Sequence, residues 1–436
     1  MLRKSKLRTL FLLTLVLVVS LAGVTTAFAQ SPNDYGAIVA PDEDNPVQAT
    51  ITKNLRMPIG TTTPSVTFHF LATPISVDGR TDETDRNTMP DLNPAALTVS
   101  FTAADVDPTD PPTNIMSIRK ETGDLFYGVT FPHAGIFVYE IRELRPTNLG
   151  IDASQTEWLY YSEAVYTLTV YVKNHSDGGT FVHAVGTRII TDDLGEPGNG
   201  KLDPTPGGNG EDYFFSQMAF RNDYVKIDNP EDPDPVEDTT LFVSKTVAGD
   251  FGDRTQYFDF TMTLTVPEIV RDAPPHYRAY IVENGAVIDP SNNTAAGLIG
   301  TDAEGLRYIR VSTSGETDFT LRHGQKLVFV DTPVGTRYTV NEDVAANYTP
   351  NVTVTTDGVG VNIPGTINSP LSTGNQFAGE GLNSATFTNT RDSVTPTGLN
   401  LNNLPFVGLI ALGIGGLVAF LVVKSRKRKY YTITDQ

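Results

Sequence analysis

The chain has 436 residues with 51 Asp plus Glu against 32 Lys plus Arg, a formal net charge of −19 and no cysteine. That length allows two or three domains. The missing thiol excludes a disulfide framework, a cysteine-based zinc or iron–sulfur site and a cysteine nucleophile, so any covalent staple must use other chemistry.

Both ends are basic, through Arg3, Lys4, Lys6 and Arg8 and through Lys424, Arg426, Lys427, Arg428 and Lys429. The acidic excess is therefore concentrated between them, on a surface that repels nucleic acid. The first basic stretch precedes an apolar run from Leu10 to Val24 and then Ala27-Phe28-Ala29. That order predicts a secretory signal helix over 1–29, cleaved after Ala29, with 30–45 a flexible start to the mature chain.

From there Thr, Val, Phe and Tyr recur in short alternating runs broken by Gly, Pro, Asn and Asp, which is the pattern of an all-β sandwich. Long stretches of helical period are missing, so little helix is expected outside the signal and the C-terminal apolar run. Two strand-rich units are predicted, 46–226 and 239–391. Between them, 227–238 reads IDNPEDPDPVED, an acidic, Pro-rich stiff linker.

Three landmarks recur in the same order in both units. The first is a strand carrying a lysine, Ala49-Thr50-Ile51-Thr52-Lys53-Asn54-Leu55 and Leu241-Phe242-Val243-Ser244-Lys245-Thr246-Val247. A period of two puts each lysine on the aliphatic face, toward a core. The second is a Gly-led strand ending in glutamate, Gly135 to Glu143 and Gly335 to Glu342, in which Glu143 shares a face with Phe137, Tyr139 and Ile141, and Glu342 with Tyr338 and Val340. The third is Phe220-Arg221-Asn222 and Phe387-Thr388-Asn389, with each Asn on the face of its Phe.

One inward-facing polar residue is commonly a frame shift or a snorkelling side chain. Six in two ordered triplets call for a reason, because buried Lys and Glu are costly unless paired or chemically consumed. Burial lowers a lysine pKa and raises a glutamate pKa, so both can be neutral near pH 7. A neutral amine attacks a carboxamide carbon. With a protonated Glu hydrogen-bonding the carboxamide oxygen and relaying protons, ammonia leaves and an amide joins the two side chains.

These residues resemble those of the pilin isopeptide-linkage domains (T-antigen type) of Gram-positive surface proteins. The resemblance implies an all-β fold of tandem immunoglobulin-like (CnaB-like) β-sandwiches. It also implies bonds from Lys53 to Asn222 with Glu143, and from Lys245 to Asn389 with Glu342. The chemistry would be a single self-catalysed turnover in a structural protein, with no cofactor and no metal. Unit one departs in spacing, with 79 residues from Glu143 to Asn222 against 47 from Glu342 to Asn389. Closing rings of roughly 170 and 145 residues would stabilise each unit by about 5 kcal/mol in a chain-entropy model.

After the second unit, residues 392–403 hold Val394-Thr395-Pro396-Thr397-Gly398 and a polar spacer, 404–423 is an uncharged apolar run, and 424–436 is a basic tail. The run is long enough to cross a bilayer, and the positive-inside rule places the tail in the cytoplasm. The order of motif, span and tail resembles a Gram-positive cell-wall sorting signal, in a variant with Pro directly before Thr. It implies cleavage between Thr397 and Gly398 by a sortase, which passes the Thr397 carbonyl to an amine. Leu404-Pro405-Phe406-Val407-Gly408 is a rival motif without the Thr.

The expected product is a pilus shaft subunit anchored in the cell wall, with sortase, neighbouring subunits, peptidoglycan and a host surface ligand as partners and no nucleic acid. A wall-anchored adhesin or stalk that does not polymerise is the alternative. Candidate acceptor lysines are Lys201, in the loop GNGKLDP, and Lys173, in Tyr171-Val172-Lys173-Asn174; either also reads as a solvated lysine. A hydrolase has little support, since His69, His133, His175, His183, His276 and His323 form no HExxH and no Gly-x-Ser-x-Gly elbow occurs. Asp192, Asp193, Asp203 and Asp212 fit no EF-hand spacing and read as a solvated acidic loop.

Overall fold

The computed structural model describes residues 42–107, 114–145, 156–207, 215–227, 234–236, 240–392 and 404–430. The expected signal helix, most of the linker, Asp212 and the Val394 to Gly398 motif lie outside the described residues. The first unit runs through β1 Thr52–Pro58, β2 Val66–Val77, β3 Thr98–Phe101, β4 Ile115–Glu121, β5 Gly135–Leu144, β6 Glu157–Tyr160, β7 Val165–Asn174, β8 Thr180–Thr191, β9 Lys201–Leu202 and β10 Ala219–Lys226. They form two sheets, ordered β4-β1-β10-β6 and β3-β2-β5-β7-β8-β9. Alternate side chains from the two inner faces, among them Phe68, Phe137, Tyr139 and Phe220, meet in one core.

The second unit repeats the plan with β11 Leu241–Ala248, β12 Phe258–Thr265, β13 His276–Glu283, β14 Ala286–Ile288, β15 Ile299–Thr301, β16 Arg307–Ser312, β17 Glu316–Leu321, β18 Gln325–Phe329, β19 Arg337–Glu342, β20 Thr349–Thr356, β21 Val359–Pro364, β22 Leu371–Ser372, β23 Gln376–Phe377 and β24 Ser384–Thr390. One sheet runs β15-β16-β13-β18-β11-β24-β20-β21, with β14 on β13; the other runs β17-β12-β19-β22, with β23 on β19. Tight hairpins at Asn284-Gly285 and Asp357-Gly358 have positive φ at both residues, the primed-turn geometry that suits the twist of the flanking strands.

In each unit the first and last strands pair in parallel, β1 with β10 and β11 with β24. Hairpins cannot make such a pair, so the whole unit must fold to bring its ends side by side. The longer glutamate-to-asparagine spacing of unit one is taken up by β7 and β8, long strands that extend the glutamate-bearing sheet beyond β5.

The units touch through a small apolar cluster of Ile115, Val225 and Ile269, flanked by Trp158 and Tyr160. Around it, Val334 N–H donates to the Lys226 carbonyl at 2.9 Å, Lys226 pairs with Glu380 at 3.2 Å, and Arg271 pairs with Asp223 at 3.5 Å and lies over the Tyr160 ring. At the C-terminus a helix spans Leu404–Tyr430. Its segment Gly408–Ser425 has a mean hydropathy of 2.0 and is long and apolar enough to cross a membrane. The helix outlasts the apolar run, which ends at Val423, because Lys and Arg are good helix formers and nothing in the tail breaks it before Tyr430.

Candidate functional site: two buried triads of Lys, Glu and Asn

Lys53 lies on β1 and Asn222 on the neighbouring strand β10, where the register pairs Lys53 with Phe220 and Leu55 with Asn222. The two side chains are thus offset by two residues on adjacent parallel strands, and both face the core. The second unit has the same offset, with Lys245 opposite Phe387 and Val247 opposite Asn389. Each glutamate comes from the facing sheet, Glu143 directly opposite Phe70 and Glu342 directly opposite Phe260. Both triads therefore occupy one three-dimensional plan in spite of their different sequence spacing.

All six residues are buried, Lys53, Asn222 and Asn389 at 0 % exposure and Glu143, the most open, at 8 %, with none of that on its side chain. Aromatic rings exclude water: Lys53 Nζ lies 4.2 Å from the Phe68 ring centre and Lys245 Nζ 4.1 Å from that of Phe258. Phe220 packs against Phe70 and Tyr166, as Phe387 packs against Phe260. Burial pushes the Lys53 and Lys245 amines down to about 8, against the opposing pull of their glutamates. The same burial raises Glu143 and Glu342, opposed by the attached lysines and the Asn hydrogen bonds.

At the first triad Lys53 Nζ donates to both Glu143 oxygens at 2.8 Å, and Asn222 Nδ2 donates to Glu143 Oε1 at 2.8 Å. The carboxylate bridges the lysine and the carboxamide nitrogens, a position from which a proton could pass from one to the other. The carboxamide oxygen is not on Glu143, where the sequence placed it. Instead Asn222 Oδ1 accepts from the backbone N–H of Ser162 at 2.8 Å.

At the second triad Lys245 Nζ donates to Glu342 Oε1, and Asn389 Nδ2 donates to the same oxygen at 2.8 Å. Glu342 Oε2 and Asn389 Oδ1 have no hydrogen-bond partner among the described residues.

Ser162 went unread in the sequence because it meets Asn222 through its backbone N–H, which no residue pattern encodes. Asp193, in the acidic loop, accepts the Ser162 hydroxyl at 2.6 Å and the Arg221 N–H at 2.8 Å. Asp192 accepts the N–H groups of Leu194 and Glu196, and among the described residues no group of acidic or His side chains gathers as metal ligands. Lys201, on β9 opposite Arg188, and Lys173, near the end of β7, are both exposed. Lys173 borders a shallow cavity of about 400 Å³ lined by Ile136, Tyr171 and His183.

Residues 49–225 match the family described as the Spy0128-like isopeptide containing domain, and residues 239–391 match a family described as a domain of unknown function (DUF7601). Over 193 residues the chain is 30 % identical to a pilin of Streptococcus pyogenes serotype M1, covering 44 % of this chain and 50 % of that protein. The chain thus spans about half the length of the curated relative it matches. Among solved structures, the major pilin from Streptococcus pyogenes is similar at 21 % identity and a TM-score of 0.31, covering 80 % of this chain and 100 % of that one. A pilus-presented adhesin is similar at 16 % identity and a TM-score of 0.20, covering 48 % of this chain and 36 % of that one.

Proposed function

We propose that the chain is a shaft subunit of a sortase-assembled pilus, exported, joined to its neighbours through Thr397 and held at the cell wall, with each sandwich closed by its own isopeptide bond. The observation that carries this reading is the pair of dry Lys, Glu and Asn triads, set at one register across the parallel first and last strands. In each, the neutral lysine amine attacks the Asn carboxamide carbon. The glutamate takes the amine proton and delivers it to the carboxamide nitrogen, the carbon–nitrogen bond breaks, and ammonia leaves. The bonds formed are Lys53 to Asn222 and Lys245 to Asn389. The domain limits follow as 46–226 and 239–391, and the C-terminal apolar helix serves as the membrane anchor until the sortase acts.

The test is the intact mass of mature Gln30 to Thr397 beside its Glu143→Ala and Glu342→Ala variants. The expected result is a deficit of two ammonia, falling to one in each variant. A full unreacted mass in folded protein would refute the bonds. Polymerisation is checked by a covalent ladder in cell-wall extracts that collapses on Thr397→Ala. A single anchored species in the unsubstituted strain would instead indicate the non-polymerising adhesin or stalk, and lysine substitutions at 173 and 201 would identify the acceptor.

A further inference from the structure

We infer that the backbone N–H of Ser162 is the oxyanion donor of the first triad, and that Asp193 is the positioning residue that aims it. The inference rests on the reading that Lys53 and Asn222 condense. When Lys53 Nζ bonds to the Asn222 carboxamide carbon, the carbonyl double bond opens and negative charge gathers on Oδ1. That oxygen already lies 2.8 Å from Ser162 N, on the side away from Glu143, which holds the two nitrogens. The division of labour is complete: Glu143 moves the proton from the attacking to the leaving nitrogen, and Ser162 holds the oxygen until ammonia departs. In a site this deeply buried a fixed dipole of this kind is worth far more than in water.

The donor is free for this role because of where the sheet stops. The β10–β6 ladder runs from Lys226 to Asp223, opposite Glu157 to Tyr160, and ends one residue short of Asn222. Beyond Tyr160 the chain leaves β10 to enter β7, so the Ser162 N–H is released from the ladder and turned to the Asn222 side chain. Asp193 fixes that departure. Its Oδ1 accepts the Ser162 hydroxyl at 2.6 Å and the N–H of Arg221, next to Asn222, at 2.8 Å, and Ser162 Oγ accepts from Ala164 N at 3.1 Å. One carboxylate oxygen thus ties the donor segment to the strand that carries its target.

The second triad has no counterpart. There the β24–β20 ladder continues through Asn389, whose opposite residue is Pro350, which has no N–H to give. Asn389 Oδ1 is left without a partner among the described residues. Each chain therefore contains its own control.

The experiment is timed cell-free synthesis of the full chain in detergent, quenched in denaturant, with both cross-linked peptides quantified by mass spectrometry. Emission of Trp158, the single tryptophan, reports folding of the first unit. Ser162→Pro, which deletes the N–H, is expected to slow formation of the Lys53–Asn222 bond by about 100-fold, as loss of one oxyanion donor does elsewhere. The Lys245–Asn389 bond should form at its usual rate. Asp193→Ala should slow the first bond by roughly 10-fold, and Asp193→Asn, which still offers an acceptor oxygen, should restore most of the rate.

An unslowed first bond in Ser162→Pro overturns the donor assignment. Where Ser162→Pro leaves the first unit unfolded, Asp193→Ala with native Trp158 emission decides, and an unslowed bond there overturns the proposal. Equal slowing by Asp193→Ala and Asp193→Asn overturns the positioning role. Failure of the underlying reading is distinguishable, because the unsubstituted chain would then never cross-link Lys53.

Discussion

The two triads hold the same residues at the same register and satisfy them differently. In the first, each polar atom of Asn222 has a partner, and Glu143 uses both oxygens. In the second, one carboxylate oxygen and the carboxamide oxygen have no hydrogen-bond partner among the described residues. A buried unpaired acceptor is costly, so the second triad is the more strongly driven to change its protonation or its bonding. The lesson is that strand register alone brings lysine, glutamate and asparagine together, whereas the local end of a ladder decides whether a backbone N–H reaches the carboxamide oxygen.

The largest expected effect concerns force. With Lys173 or Lys201 as acceptor, tension enters unit one after most of its strands and leaves through Asn222. The Lys53 bond is then bypassed while the Lys245 bond bears the full load. Single-molecule pulling of polymerised subunits should show extension of the second sandwich in Lys245→Ala at forces that leave Lys53→Ala close to the unsubstituted fibre. Equal rupture forces for the two variants would remove this asymmetry.

A smaller effect comes from trapping the pairs unreacted with Asn222→Ala or Asn389→Ala. Burial raises each glutamate above its ordinary 4.5, so the folded state holds the extra proton and stability falls as pH rises through the interval from 4.5 to the raised value. Each lysine drops from 10.5 to about 8, so between about 8 and 10.5 the unfolded chain holds the extra proton and stability recovers. Thermal unfolding against pH should therefore show a trough near neutrality, on the order of 3 kcal/mol deep on the alkaline side. The alkaline recovery should be absent from the cross-linked chain, whose lysines have become amides, while its buried glutamates still titrate. A trough in one variant only would show that the two triads differ in electrostatics as well as in hydrogen bonding.

The smallest effect is at the contact between the units. Arg271→Ala removes a half-exposed partner of Asp223 and should lower the unfolding midpoint by less than about 1 kcal/mol equivalent while leaving both ammonia losses intact. A change at the first triad alone would mean that the contact helps to set the Asn222 strand.

Much of this was legible in the residues. Period-two alternation placed Lys53, Glu143 and Asn222 among Leu55, Ile141 and Phe220, and the inward direction of each is visible as burial in the fold. The spacing of 79 against 47 was visible but not its meaning, because alternation identifies strands such as β7 and β8 without saying which sheet they extend. Ser162 was beyond reach, since a backbone N–H is common to nearly every residue and its value depends on where a ladder ends. The Arg271–Asp223 contact was equally hidden, as it joins surfaces set by two separate folds.

The two-residue stagger between parallel first and last strands also sets a length scale. An extended chain spans at most about 3.3–3.6 Å per residue, so the roughly 145 residues inside the second ring amount to about 500 Å of slack in every subunit. A bond from Lys245 to Asn389 would take that slack out of the covalent route altogether. Even a subunit whose second sandwich has melted would then keep that sandwich's native contour, and a filament built from many such subunits would stretch only through the short segment between its acceptor lysine and Asn222.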